Sequence, residues 1–206
     1  MLIIENPEVT LKEEGHGFPE GAEEIGGIEW SINSHVRGDD GRQYWIDCGI
    51  LGYPRLNVLG GVSMGVDIST LSVRSETGKV VQSRKSVYKI AKFPNIAPVA
   101  LELHPLGSLK IERAKNQVAV ELGHTLLLCK DDKTWHYSME DKEKGIKAEI
   151  VHAGVGFPMW YHDKKKLEAY TPHSVGGGYY WAGTVEGMLT MDGREIRLKG
   201  KGARQR

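Results

Sequence analysis

Apolar and polar residues alternate through most of the chain, from about residue 28 to residue 200. In the first such segment, Ile28, Trp30 and Ile32 occupy every second position, with polar residues between them. Because successive side chains of a β-strand point to opposite faces, this pattern predicts strands with one apolar and one polar face. Short segments rich in glycine and aspartate, such as residues 38–41 (GDDG), interrupt the pattern and favour tight turns.

The alternation predicts roughly ten short antiparallel strands and little helix, which is typical of an all-β barrel or sandwich. The segment 93–105 contains three prolines, so we interpret it as a long connection rather than a central strand. Only the segment 163–170 favours helix, for about two turns. The predicted strands are 28–36, 43–51, 62–74, 80–90, 109–113, 118–122, 124–129, 134–140, 146–152, 179–191 and 194–199.

Length and charge narrow the class of protein. A chain of 206 residues suits one large domain, and we expect a single β-barrel domain over 1–206, with an extended segment 1–27 and the barrel in 28–200. The 27 basic and 27 acidic residues balance, which argues against nucleic acid or an anionic membrane surface as partner. The apolar run 2–4 is too short for a signal peptide or a membrane span, so we expect a cytoplasmic protein.

The sequence predicts no metal site and no cofactor. Cys48 and Cys129 are isolated in apolar, strand-like runs, and the eight histidines are too scattered for a zinc motif. We expect two buried thiols, with a disulfide between them as the open alternative. The sequence also has no phosphate loop, dinucleotide fingerprint or nucleophile-elbow motif.

Two polar side chains are candidates for catalysis. His152 ends an apolar face that begins at Ile146, where it is either a structural histidine or a proton-transfer group. Asp47 shares a strand face with Trp45, and these two side chains either point outward at the rim or line a cavity. A carboxyl group in an apolar cavity has a raised pKa and can stay protonated as a general acid.

Aromatic residues recur along the predicted strands, where rings either pack in the core or line a ligand cavity. Adjacent aromatics, such as Trp160 and Tyr161, must point to opposite faces of a strand. Rings around a cavity would suit an apolar or polyene ligand and would stabilise a carbocation by cation–π attraction. The candidate ligand-binding residues are Trp30, Trp45, Trp135, Trp160, Tyr161 and Trp181.

Two stretches of the chain resemble a known family. One is the opening strand with Glu29 and Trp30, a Gly-Asp turn and RQYWIDCGIL; the other is GGGYYWAGTVEGMLTMDGREIRLKGKG, over residues 176–202. In order and spacing they resemble the carotenoid 1,2-hydratase (hydroxyneurosporene synthase) and AttH-like family. The resemblance implies a lipocalin-like β-barrel. It also implies tandem barrels that act on terpenoid, polyene or polyketide-like substrates by hydration or cyclisation.

The sequence departs from the family pattern at two points. Ser31 stands where the family's opening strand has a second Trp. After Gly202 the family continues with a Trp and an Asp-His-x-Trp-Gly motif, whereas this sequence reads ARQR. The family's Asp-His pair is therefore not matched. We expect a single N-terminal barrel that is truncated, paired with a second barrel as a homodimer or separate chain, or working alone.

Three functions compete at this point. As a hydratase or cyclase, the chain would bind a small hydrophobic ligand in a barrel cavity, and Asp47 would protonate a C=C bond with His152 assisting. The tryptophan rings would then stabilise the cation. As a lipocalin-like carrier, the chain would bind the ligand without catalysis. As one half of a two-barrel protein, it would contact the second barrel through Tyr180 and the terminal hairpin.

Overall fold

The computed structural model describes residues 28–58, 62–75, 100–130, 133–160, 178–191 and 193–206. Within these ranges all regular structure is β, and no helix occurs that is long and apolar enough to cross a membrane. The strands are β1 (Ile28–Gly38), β2 (Gln43–Val58), β3 (Val62–Ser75), β4 (Ala100–Pro105), β5 (Lys110–Ala114), β6 (Gln117–Leu122), β7 (Thr125–Lys130), β8 (Thr134–Asp141), β9 (Ile146–Gly154), β10 (Met159–Trp160), β11 (Tyr179–Met191) and β12 (Arg194–Gln205).

These strands form one antiparallel sheet in the order β4-β3-β2-β1-β12-β11-β9-β8-β7-β6-β5, with β10 paired to β11. Most neighbours in the sheet are also neighbours in the sequence, as in a meander. The exception is β1, which pairs with β2 on one side and with β12 on the other, where Ser31 lies opposite Gln205. Strands β1 and β12 therefore lie side by side within the sheet.

The sheet curls into a half-barrel, which brings strands from its two ends together. The hydroxyl of Tyr137 on β8 donates a hydrogen bond to the carbonyl of Thr70 on β3, at 3.1 Å. Glu102 on β4 accepts a hydrogen bond from the backbone N–H of His124, between β6 and β7, at 3.0 Å. The Nδ1 atom of His124 also contacts this carboxylate. We call this pair the Glu102–His124 seam, because it joins elements that are far apart in the sheet order.

The inner face of the curled sheet is the hydrophobic core. Alternate residues such as Ile32 on β1 and Val185 on β11 are fully buried there, because the pleat directs every second side chain inward. Burying each such side chain stabilises the fold by about 1.5–3 kcal/mol. Cys48 and Cys129 lie in this core as buried thiols, and no disulfide joins them. This confirms the prediction for the two cysteines.

The structure confirms the all-β antiparallel fold and corrects one segment. The interpretation of 93–105 as a connection is wrong for its last part, because Ala100–Pro105 forms β4, hydrogen-bonded to β3. Proline is tolerated there because Pro105 ends a strand at the edge of the sheet. The predicted strand 80–90, helix 163–170 and segment 1–27 lie outside the described residues. The single-domain division stays a prediction.

Candidate functional site

A row of four side chains crosses the outer face of the sheet. Trp45 on β2 lies opposite Arg74 on β3 and opposite His35 on β1. His35 in turn lies opposite Lys201 on β12. Residues in register on neighbouring antiparallel strands project from the same face, so these four side chains form a continuous line. We call it the basic–aromatic row.

The two rings of the basic–aromatic row are stacked. The centroids of His35 and Trp45 are 4.6 Å apart, and the ring planes are inclined by 21°. Trp45 nevertheless remains 50% exposed. The open half of the Trp45 ring is an amphipathic surface on which a flat apolar group can pack. The row therefore presents a partly open aromatic platform with a basic residue at each end.

Asp47 lies in the next row of the same face. It is opposite Ser72 on β3 and Asn33 on β1. The two rows line an open groove of about 820 Å³, which we call the outer groove. A groove of this volume accommodates a small organic molecule. Its lining consists of Asn33, Ser34, His35, Trp45, Ile46, Asp47, Ser72, Arg74, Lys201 and Gly202.

The environment of Asp47 raises the pKa of its carboxyl. Removal of water by the walls of the groove raises the pKa of the Asp47 carboxyl, and the nearby charge of Glu29 raises it further. The positive charge of Arg74 acts in the opposite direction and lowers this pKa, but the net shift is upward. Asp47 is exposed at the surface of the sheet, so its carboxyl is only partly desolvated. A raised pKa increases the fraction of a carboxyl that is protonated, and so able to donate a proton, at a given pH.

The inner face holds a second group of functional interest, centred on a buried guanidinium. The Cζ atom of Arg204 lies 4.5 Å from the ring centroid of Trp181, 5.0 Å from that of Trp135 and 5.6 Å from that of Tyr179. Arg204 itself is fully buried. Cation–π attraction in such a desolvated setting is worth about 2 kcal/mol for a favourable ring. We call these four residues the Arg204 cluster.

His152 lies beside the Arg204 cluster, opposite Trp135 on β8 and Val185 on β11. Burial lowers the pKa of His152 to about 4, with the positive charge of Arg204 as the second cause. The peptide groups of Gly202 and Trp181 oppose this shift weakly. Among the described residues, neither ring nitrogen of His152 has a partner at ordinary hydrogen-bond geometry. The imidazole is therefore neutral at pH 7, so it lacks the imidazolium proton that a general acid would donate.

A glycine makes room for the His152 ring. A Cβ atom added to Gly183 would lie 2.7 Å from His152 Nε2 and 2.1 Å from the carbonyl oxygen of Ala153. Both contacts are too close for a real side chain, so only glycine fits here. The space above β11 is thus filled by the histidine, and this part of the inner face is tightly packed.

The predicted site residues divide between the two faces of the sheet. Asp47 and Trp45 lie outward in the groove, as in one of the two alternatives left open by the sequence. His152 lies inward and fully buried, so the structure does not bring it together with Asp47. The inward group also includes Trp30, Trp135 and Trp181, all buried. The backbone of Trp160 pairs with that of Tyr179. The side chain of Trp160 and the whole of Tyr161 lie outside the described part of the structure.

Sequence reasoning missed the basic members of both groups. Arg204 lies on the inner face because β12 continues to Gln205, whereas the predicted strand ended at residue 199. Continuing the alternation from Ile196 and Leu198 would have placed residue 204 inward. Arg74 and Lys201 became relevant only through the strand register, which the sequence does not reveal. In the described ranges, no group of three histidine, cysteine or acidic residues is arranged to hold a metal ion.

Comparison with known proteins supports the fold and nothing finer. No protein-family model matches the chain, and no curated protein matches it. A crystal structure of an AttH-like protein from Nitrosomonas europaea is similar, with a TM-score of 0.58 and 10% sequence identity. The match covers 99% of this chain and 56% of that protein. The fold is therefore AttH-like, and this chain spans little more than half the length of the solved relative.

Proposed function

We propose that this chain binds a hydrophobic small molecule of the terpenoid, polyene or polyketide type and takes part in its hydration or cyclisation. The outer groove is the proposed site. The observation that supports this most directly is the Asp47 carboxyl, whose pKa is raised, beside the half-exposed ring of Trp45. An acid can protonate an alkene, and an electron-rich ring in the same groove can stabilise the cation that forms.

The proposed reaction begins with transfer of the Asp47 carboxyl proton to one carbon of a C=C bond. The electrons of the π bond form the new C–H bond, and the other carbon becomes cationic. The Trp45 ring and the newly formed Asp47 carboxylate stabilise this cation electrostatically. Water, or a nucleophile within the substrate, then bonds to the cation. The proton released in that step returns to the Asp47 carboxylate.

The inward-facing residues have a structural role in this proposal. Trp30, Trp135, Trp181 and His152 are buried in the packed inner face and contribute to the shape of the sheet. Contact of these residues, or of Trp160 and Tyr161, with the ligand stays a prediction. A cation on the inner face would also be repelled by the guanidinium of Arg204, which already occupies the aromatic rings there. The outer groove also contains the cations Arg74 and Lys201, but there the carboxylate formed at Asp47 offsets part of their repulsion.

The test begins with the ligand. Native mass spectrometry of protein purified from its own cells would identify a co-purifying hydrophobe, which then serves as substrate in turnover assays. We expect Asp47→Asn to lower turnover at least about a hundredfold while leaving binding nearly unchanged, because the amide cannot donate an acidic proton. Glu112→Gln, on the exposed face of β5, is the matched control for loss of a carboxylate. Unchanged turnover in Asp47→Asn would leave only a carrier function.

A second candidate function is that of one half of a two-barrel protein. Three exposed apolar side chains support it, because Val155, Phe157 and Met159 are each more than half exposed. Met159 is also paired with Tyr180 at the start of β11. Sedimentation velocity would show self-association, or binding of a separately produced second barrel, that Phe157→Ser weakens. A strict monomer that binds no second barrel would contradict this version.

A further inference from the structure

The outer groove contains more positive charge than binding of a neutral hydrocarbon requires. Arg74 and Lys201 stand at the two ends of the basic–aromatic row. Among the described residues, neither forms an ion pair within 4.0 Å. By contrast, the neighbouring Lys199 on the same face of β12 lies 2.8 Å from Glu186. The two groove cations are thus available to a ligand in a way that Lys199 is not.

The geometry of the row also restricts the shape of a ligand. Neighbouring strands are about 4.8 Å apart, so the backbone positions of Arg74 and Lys201 are separated by roughly 14 Å across three strand intervals. His35 already covers part of Trp45 by stacking on it. A flat ring system placed on the exposed part of Trp45 would extend this stack, which offset or edge-on aromatic contacts favour by about 0.5–1.5 kcal/mol.

Asp47 sets the position of the anion within the groove. A negative group of the ligand is repelled by this carboxylate when it is ionised, and by Glu29, whose charge already acts on Asp47. The favourable position is therefore at the ends of the row, next to a cation. Arg74 is the stronger anchor, because a guanidinium binds an oxyanion through two parallel hydrogen bonds and a lysine acts as a point charge.

We infer that the outer groove recognises a planar, conjugated ligand that carries an anionic group, with the ring on Trp45 and the anion on Arg74. Lys201 adds attraction from the other end of the row. This inference rests on the proposed function and specifies its substrate, namely a conjugated acid rather than a neutral hydrocarbon. Carboxylate and phosphate are the anionic groups that this arrangement fits.

The test uses two fluorescent probes that differ mainly in charge. 1-Anilinonaphthalene-8-sulfonate is an aromatic anion, and N-phenyl-1-naphthylamine is its uncharged counterpart. We expect Arg74→Gln to weaken binding of the sulfonate about tenfold, because a hydrogen bond to a charged group is worth about 1.5–3 kcal/mol. Lys201→Gln should weaken it about two- to threefold, and added salt should weaken it as well. Binding of the neutral probe should be unchanged in both variants.

Control variants distinguish failure of the anion-binding inference from failure of the proposed function. Lys199→Gln removes a paired lysine beside the groove and should leave both probes unaffected. Trp45→Leu removes the ring but keeps apolar bulk, and should weaken both probes; near-ultraviolet circular dichroism shows that each variant is folded. If Trp45→Leu weakens binding of both probes but Arg74→Gln changes the affinity for both by the same factor, the charge inference is wrong and the proposed function stands. If Trp45→Leu affects neither, the groove is not the site and both fail.

Discussion

The guanidinium of Arg204 lies 4.5 Å from the ring centroid of Trp181, on the buried inner face of the sheet. A charge in such a place is stable only if its surroundings replace the water it has lost. Three aromatic rings supply part of that replacement. The interaction also fixes the last residues of β12 against β8 and β11, so the end of β12 is part of the core.

We predict that Arg204→Ala lowers the free energy of unfolding by about 3–5 kcal/mol, the range for truncating a large buried side chain. Arg204→Met should cost less, because it restores most of the packing and removes the need to bury a charge. Urea denaturation followed by tryptophan fluorescence measures both. Arg37→Ala, at an exposed position of β1, is the control and should change stability by less than about 0.5 kcal/mol.

The lowered pKa of His152 predicts acid sensitivity with a defined sign. The folded protein holds this imidazole neutral down to about pH 4, whereas the unfolded chain takes up the proton near pH 6.5. Stability from this residue is therefore complete above about pH 6.5 and is lost as the pH falls toward 4, by on the order of 3 kcal/mol.

Denaturant titrations between pH 4 and 7 would measure this loss, and His152→Gln should flatten the corresponding slope. In Arg204→Met, the pKa of His152 should rise, because the second cause of its depression is gone. Proton NMR of the imidazole resonance measures that shift directly. A His152 pKa near its ordinary value in the unsubstituted protein would contradict the buried, neutral state.

The Glu102–His124 seam predicts a pH dependence of folding stability whose sign is opposite to that from His152. The hydrogen bond and negative charge of Glu102 raise the pKa of His124. Stability from this pair is therefore present below the ordinary histidine pKa and is lost as the pH rises through the raised value. His124→Gln should reduce the difference in Tm between pH 6 and pH 8.5. Glu102→Gln should have the same effect, and combining the two substitutions should add little further.

Tyr44, in the hairpin of β1 and β2, has a raised pKa that can be measured. The hydroxyl of Tyr44 donates a hydrogen bond to the Asp40 carboxylate, and burial together with this contact raises the pKa of Tyr44 to about 12. Ultraviolet titration at 295 nm should show a tyrosine that ionises near pH 12, and in Asp40→Asn its pKa should fall toward the ordinary value while the part of the shift caused by burial remains. Tyr44→Phe should destabilise the fold by about 1.5–3 kcal/mol, since the lost hydrogen bond has a charged acceptor.

The sequence predicted the strands well because their alternation is a local property. One buried and one exposed face follow directly from spacing, as at Ile28, Trp30 and Ile32. The edge strand β4 was missed because the three prolines of 93–105 were taken to exclude a strand, although only Pro105 lies in β4 and an edge strand tolerates a proline that a central strand does not. Local pattern gives the face of a residue but not its neighbours.

The candidate site shows this limit clearly. Asp47 and Trp45 could be selected from one strand, and their shared face was correctly read. Arg74 and Lys201 belong to the same groove only because three strand pairings bring them into one row. Their sequence positions, separated by more than half of the chain, contain no signal of that proximity. Pairing register depends on the whole fold.

The adjacency of β1 and β12 has a consequence for how the chain folds. Ser31 pairs with Gln205, so one edge of β1 has no partner until β12 has been synthesised and has left the ribosome. Pairings of such high sequence separation are slow, because the entropy of closing a long loop must be overcome first. We therefore expect folding of this sheet to be completed only after synthesis of β12, with β1 exposed to mispairing or chaperones until then.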